Sequence, residues 1–268
     1  MTGVAGRIGR AAASTLIAGT VGGAALLAGE VLAARSRRYA KPMMGLALRT
    51  TMGPSSAPPL RLVLLGDAGA IGVGVEWLAD TVGGQLAQLL AEGTPGTGER
   101  HVQLSSVGVA GSRSTDLATQ VARALLGDRP DVALILVGAN DATALRGPAE
   151  AAAHLGSAVR RLRDAGVSVV VGTCPDLGAV RAIAPPLRQI TGWLGRRVAR
   201  AQAAAVREAG GAVVDLAQET GAVFRADAGT LCYDGFHPSA DGYRVWAYAL
   251  RPAVARAAAE SGKPSIQE

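Results

Sequence analysis

From Leu60 onward the chain alternates short, almost wholly apolar runs with longer amphipathic stretches. The runs are 61–66, 102–109, 132–137, 167–172 and 212–216, each rich in Val, Leu and Ile. Strands buried on both faces read this way, because neither side of the pleat meets water. Between them the apolar residues recur at helical spacing near 80–92, 114–126, 148–165, 186–209 and 239–259. A repeating β-α pattern predicts a three-layer α/β/α sandwich around a five-stranded parallel sheet. Ligands then bind at the carboxyl ends of the strands, so chemistry is expected in the residues that follow each run.

The N-terminus is patterned differently. Residues 11–29 carry no charge; Arg7 and Arg10 precede them, and Arg35, Arg37, Arg38 and Lys41 follow. At about 1.5 Å per helical residue the run just reaches across a bilayer core. Three readings fit: a retained membrane anchor with contact through residues 11–34, a signal peptide cleaved after Val31-Leu32-Ala33, and a hydrophobic helix that packs on a soluble domain. The first two imply a membrane-associated or cell-envelope location. The predicted organisation is therefore an anchor or signal segment at 1–42, a Pro-, Ser- and Gly-containing linker at 43–59, one domain at 60–258 and a tail at 259–268.

Composition narrows the function. The 268 residues are 49% hydrophobic, enough for a large core, and only 3% aromatic. A net charge of +6 is no nucleic-acid signal here, since the arginines are scattered or helical and few rings are available to stack on bases. Cys174 and Cys232 lack the spacing of a disulfide framework or a zinc site and are expected as free thiols, and neither a metal nor a cofactor is implied. His101 and His154 read as surface or packing residues. Residues 185–208 form a basic amphipathic stretch with Trp193 and Leu194, expected as an ordinary sheet-covering helix with a solvated arginine face.

Four loops at strand ends carry polar groups. "GDAG" follows the first run and exposes position 68; "VGVAGSRSTDL" follows the second and contains Gly111. "VGANDAT" follows the third and places Asn140 and Asp141 at the mouth. "YDGFHPSADGY", beyond the fifth, sets Asp234 and His237 three residues apart. Singly, each has an ordinary reading as a turn or cap. Together and in this order they resemble the blocks of the SGNH hydrolases, the GDSL lipase and esterase family.

That resemblance, covering residues 60 to about 258, implies a flavodoxin-like fold and a serine hydrolase acting on a small-molecule or lipid acyl ester. It implies that Asp234 and His237 belong to a Ser-His-Asp triad, and that the backbone at 68, Gly111 and Asn140 form the oxyanion hole. The chemistry is consistent: a hydroxyl nucleophile needs a base, an imidazole titrating near neutrality is suited to it, and a carboxylate orients the ring. The departure is at the nucleophile itself, where Ala68 stands in place of serine. Two explanations follow, an engineered Ser-to-Ala replacement, favoured by the survival of every other element, and a natural relative that binds without reacting. A rival class is a nucleotide- or phosphate-binding protein using Gly69, Gly72 and Gly74, though their spacing fits no phosphate-loop pattern.

Overall fold

The computed structural model describes residues 23–43, 48–93, 98–144 and 147–261. The apolar runs form the parallel strands β2 (Pro59–Gly66), β3 (His101–Ser106), β4 (Val132–Leu136), β5 (Ser168–Gly172) and β6 (Ala212–Val214). Among the described residues the sheet has six strands rather than five and is mixed rather than purely parallel. Its sixth member, β1 (Arg49–Met52), lies within the stretch expected to be a linker and pairs antiparallel with β3, giving the order β1-β3-β2-β4-β5-β6.

Alternate side chains of each central strand feed two separate cores, as the period of two requires. Leu60, Leu62 and Leu64 of β2 and Leu134 of β4 pack with α3 (Val82–Glu92) and α9 (Ala240–Ser261). Val63, Leu65, Ala133 and Ile135 pack on the opposite side with α4 (Leu117–Ala124), α6 (Pro148–Asp164) and the C-terminal end of α7 (Leu187–Glu208). Each fully buried Leu or Val contributes about 1.5–3 kcal/mol, so the strand ends that carry the polar loops rest on a rigid base. The arginine face of α7 is solvated, with the Arg197 guanidinium 4.7 Å over the Trp193 ring. A helix that the apolar pattern did not announce, α8 (Leu216–Ala226), follows β6 and is capped by Asp215, whose carboxylate accepts the Gln218 N–H.

Residues 11–22 of the N-terminal apolar run lie outside the described residues, as do 262–268 of the tail. The described part of the N-terminal segment is helical at 23–36, here α1. Among the described residues no helix is long and apolar enough to cross a membrane.

Candidate active site

β2 ends in a turn that only glycine can make. Gly66 has φ +130°, and a Cβ there would lie 1.8 Å from the Leu136 carbonyl oxygen of β4. Asp67 follows as the N-cap of the short helix α2 (Ala68–Ile71), accepting the Gly69 N–H at 3.1 Å, so that Ala68 opens the helix at the carboxyl end of the sheet. Burial pushes the Asp67 carboxyl up to about 6, against the opposing influence of the Gly69 N–H and of nearby His237.

The loop after β3 is tied to that turn by Gln120 of α4. Its side-chain oxygen accepts the Gly66 N–H at 2.6 Å, and its amide nitrogen donates to the Gly66 carbonyl at 2.9 Å and to Ser112 Oγ at 3.0 Å. Gly111, at φ +81°, faces open space beside them. Asn140 lies in α5 (Ala139–Thr143), just past β4, and its Nδ2 donates to the Ser112 carbonyl at 3.0 Å while approaching Asp67 Oδ2 at 3.4 Å. Asp141, buried beside it, is not among the cavity-lining residues and accepts the backbone N–H and the hydroxyl of Ser114. Its role is to hold the β3 loop.

Asp234 and His237 come from the loop before α9. His237 Nδ1 lies 2.7 Å from Asp234 Oδ2, and the other carboxylate oxygen accepts the Phe236 and His237 N–H groups at 2.7 and 2.9 Å and the Cys232 thiol at 3.2 Å. A further donor arrives from far away in sequence, the Ala40 N–H at 2.8 Å from Oδ2. Burial pushes the Asp234 carboxyl up, but the His237 hydrogen bond and these backbone donors outweigh it and hold it below the usual carboxylate range. Cys174 and Cys232 are both free thiols, the first buried and the second partly exposed.

Ala68, Gly111, Asn140 and His237 line one cavity of about 650 Å³, and Asp234 is shielded behind the histidine, its side chain 1% exposed. This is the size of pocket that encloses a small organic ligand. Away from those residues the walls are largely apolar. Among the described residues two buried polar atoms, Thr173 Oγ1 and Trp246 Nε1, have no hydrogen-bond partner, and both residues line the cavity. An imidazole braced by a carboxylate, beside an amide and a helix start, is equipped to move a proton and to receive negative charge on an oxygen. The glycines of the first loop have other duties than cradling phosphate: the Gly69 N–H is taken by Asp67 and the Gly72 N–H by carbonyls of α2, and a Cβ on Gly74 would meet the Pro238 carbonyl at 2.5 Å.

Sequence reasoning missed Gln120, the capping role of Asp67 and the contribution of Ala40. Asp67 had a legible signal, an acidic residue before a Gly-rich turn. The others are set by contacts between segments distant in sequence.

A family model described as the GDSL-like Lipase/Acylhydrolase family matches residues 64–245. A GDSL-like esterase of Mycobacterium tuberculosis is 42% identical over 201 residues, which is 73% of this chain and 63% of that protein, so the chain spans less than two thirds of the relative's length. Among solved structures, a member of the lipolytic protein G-D-S-L family from Veillonella parvula superimposes with TM-score 0.58 at 16% identity, covering 74% of this chain and 99% of that one. A catalytic mutant of the acetylxylan esterase Axe2 from Geobacillus stearothermophilus gives TM-score 0.54 at 20% identity, covering 81% and 99%. At these identities the two structures establish a shared fold.

Proposed function

The chain belongs to the GDSL-like lipase/acylhydrolase family, and from that premise we propose that its cavity binds an acyl ester in a serine-esterase site whose nucleophile position is occupied by Ala68. The observation that carries this reading is the hydrogen-bonded Asp234–His237 pair on the same cavity as Ala68, Gly111 and Asn140. His237 is the general base, and Asp234 fixes its tautomer and stabilises the imidazolium. The backbone N–H groups at 68 and Gly111 and the amide of Asn140 receive the oxyanion. Asn140 Nδ2 donates to the Ser112 carbonyl, which orients the amide, and its contact with Asp67 Oδ2 is long at 3.4 Å, one that a substrate oxygen can displace.

With serine at 68, the hydroxyl would attack the ester carbonyl, its proton passing to His237, which returns it to the leaving alkoxide. Water would then hydrolyse the acyl-enzyme by the same route. Alanine lacks the attacking oxygen, a loss that costs on the order of 10⁶ in turnover in a serine triad. The chain as written therefore retains ligand without turning it over. The test is Ala68→Ser assayed on p-nitrophenyl esters from acetate to palmitate. Gain of hydrolysis that disappears in Ala68→Ser/His237→Ala supports the reading, and a folded Ala68→Ser protein inert on every ester overturns it in favour of a protein that only binds.

A further inference from the structure

Residues 30–40 precede the stretch that the family model matches, yet they form one side of the cavity. Helix α1 turns Leu27, Glu30, Val31 and Ala34 inward, at the spacing of a single helical face, and leaves Leu26 and Leu32 exposed. The segment is fastened at both ends. The Glu30 carboxylate accepts the Leu187 N–H at 2.9 Å at the start of α7, and Ala40 donates to Asp234. Between these anchors the Tyr39 hydroxyl donates to the Ala34 carbonyl at 2.8 Å, and the Tyr39 ring meets Phe236 edge-on at 5.4 Å. Val31 and Ala34 share the cavity lining with Ile183, Leu187, Ile190 and Leu194, and Arg35 is the charged residue that this segment adds to it.

The chemistry of this end selects its occupant. A sugar bearing an acetyl ester presents several hydroxyls that lose their water partners on entry, and a lining made mostly of aliphatic side chains, with few polar groups such as Arg35 and Thr191, returns few of those hydrogen bonds. An alkyl chain loses nothing and gains the burial of every methylene, about 0.8 kcal/mol each in transfer from water. We propose that residues 30–40 are a substrate-selecting wall, which turns the cleft into an apolar slot for the unbranched alkyl chain of a medium- or long-chain acyl ester. This rests on the acyl-ester reading above and adds which ester the site takes.

The test fills the slot from the wall side with Ala34→Trp and, separately, Val31→Trp. In the chain as it stands, calorimetry with laurate should show binding, weakened at least about tenfold by either tryptophan. In the Ala68→Ser background, the ratio of kcat/KM for p-nitrophenyl octanoate to that for the acetate should exceed about ten and fall by at least about tenfold in both variants. Loss of esterase activity on all chain lengths, with laurate binding retained and tryptophan-sensitive, overturns the hydrolytic reading and leaves the wall standing. An active Ala68→Ser protein that prefers acetate, or whose chain-length ratio is unmoved by tryptophan variants melting like their parent, overturns the wall and leaves the hydrolytic reading standing. If neither variant folds, the acetate-to-octanoate ratio of Ala68→Ser decides alone.

Discussion

Ala40 donates its backbone N–H to the same carboxylate oxygen of Asp234 that receives His237 Nδ1, at 2.8 Å against 2.7 Å. Two donors on one oxygen fix both the carboxylate and the ring it orients. Because the folded carboxyl titrates below the usual range, its contribution to stability is present above the ordinary value of 3.8 and lost as pH falls through the folded one. Asp234→Ala strands these donors, and it should cost about 2–4 kcal/mol at pH 7 by urea denaturation. The difference from the parent should shrink as the pH is lowered below about 4.

Removing residues 1–41 should leave a folded domain of lower stability. The deletion takes away the Ala40 donor and the Tyr39 contact with Phe236 but no strand of the sheet. A loss of about 2 kcal/mol lowers Tm by roughly 4–8 °C in a domain of this size, readable by calorimetry.

Asp67 works in the opposite sense to Asp234. Its folded carboxyl, pushed up to about 6 by burial, favours folding when neutral. That contribution is complete below 3.8 and is lost as pH rises through about 6, a change on the order of 3 kcal/mol. Asp67→Asn keeps an acceptor for the Gly69 N–H and removes the titration. Its stability relative to the parent should therefore rise between pH 5 and pH 8, and a parallel pair of curves over that range would refute the assignment.

In the Ala68→Ser protein, Asn140→Ala should lower kcat by about 10²–10³ with little change in KM, because the amide acts on charge that develops during attack. An equal loss appearing only in KM would make Asn140 a ground-state contact.

Thr173→Val removes a buried hydroxyl with no partner among the described residues and keeps the shape of the side chain. Stability should stay within about 1 kcal/mol of the parent or rise, because no hydrogen bond is broken. A larger loss by thermal denaturation would mean that the hydroxyl is satisfied by bound water.

Much of this was legible because the central strands are buried on both faces. Val132–Leu136 and Ser168–Gly172 are buried throughout, so their apolar runs stand out in the sequence, and the polar loops beyond them follow from where parallel strands end. β1 was not legible: Arg49–Met52 alternates exposed and half-buried positions, has no apolar run and becomes a strand only through its pairing with β3. α8 was obscured by its mixed composition, although Asp215 followed by Gln218 three residues later carries the signature of a helix start. The wall at 30–40 has no local signal for its role, because Glu30 and Ala40 find their partners at Leu187 and Asp234.

The contact between Ala40 and Asp234 closes over 194 residues of chain, which gives the site an order of birth. At ribosomal speeds of about 5–20 residues per second, Ala40 is made roughly 10–40 s before the carboxylate it will dock on. Over that interval the sheet can form strand by strand, and the segment at 30–40 gains its anchor at Leu187 before its anchor at Asp234. The ligand chamber is sealed last, by its earliest residues, so a nascent chain that ends between Val214 and Asp234 holds every strand described above and no enclosed chamber.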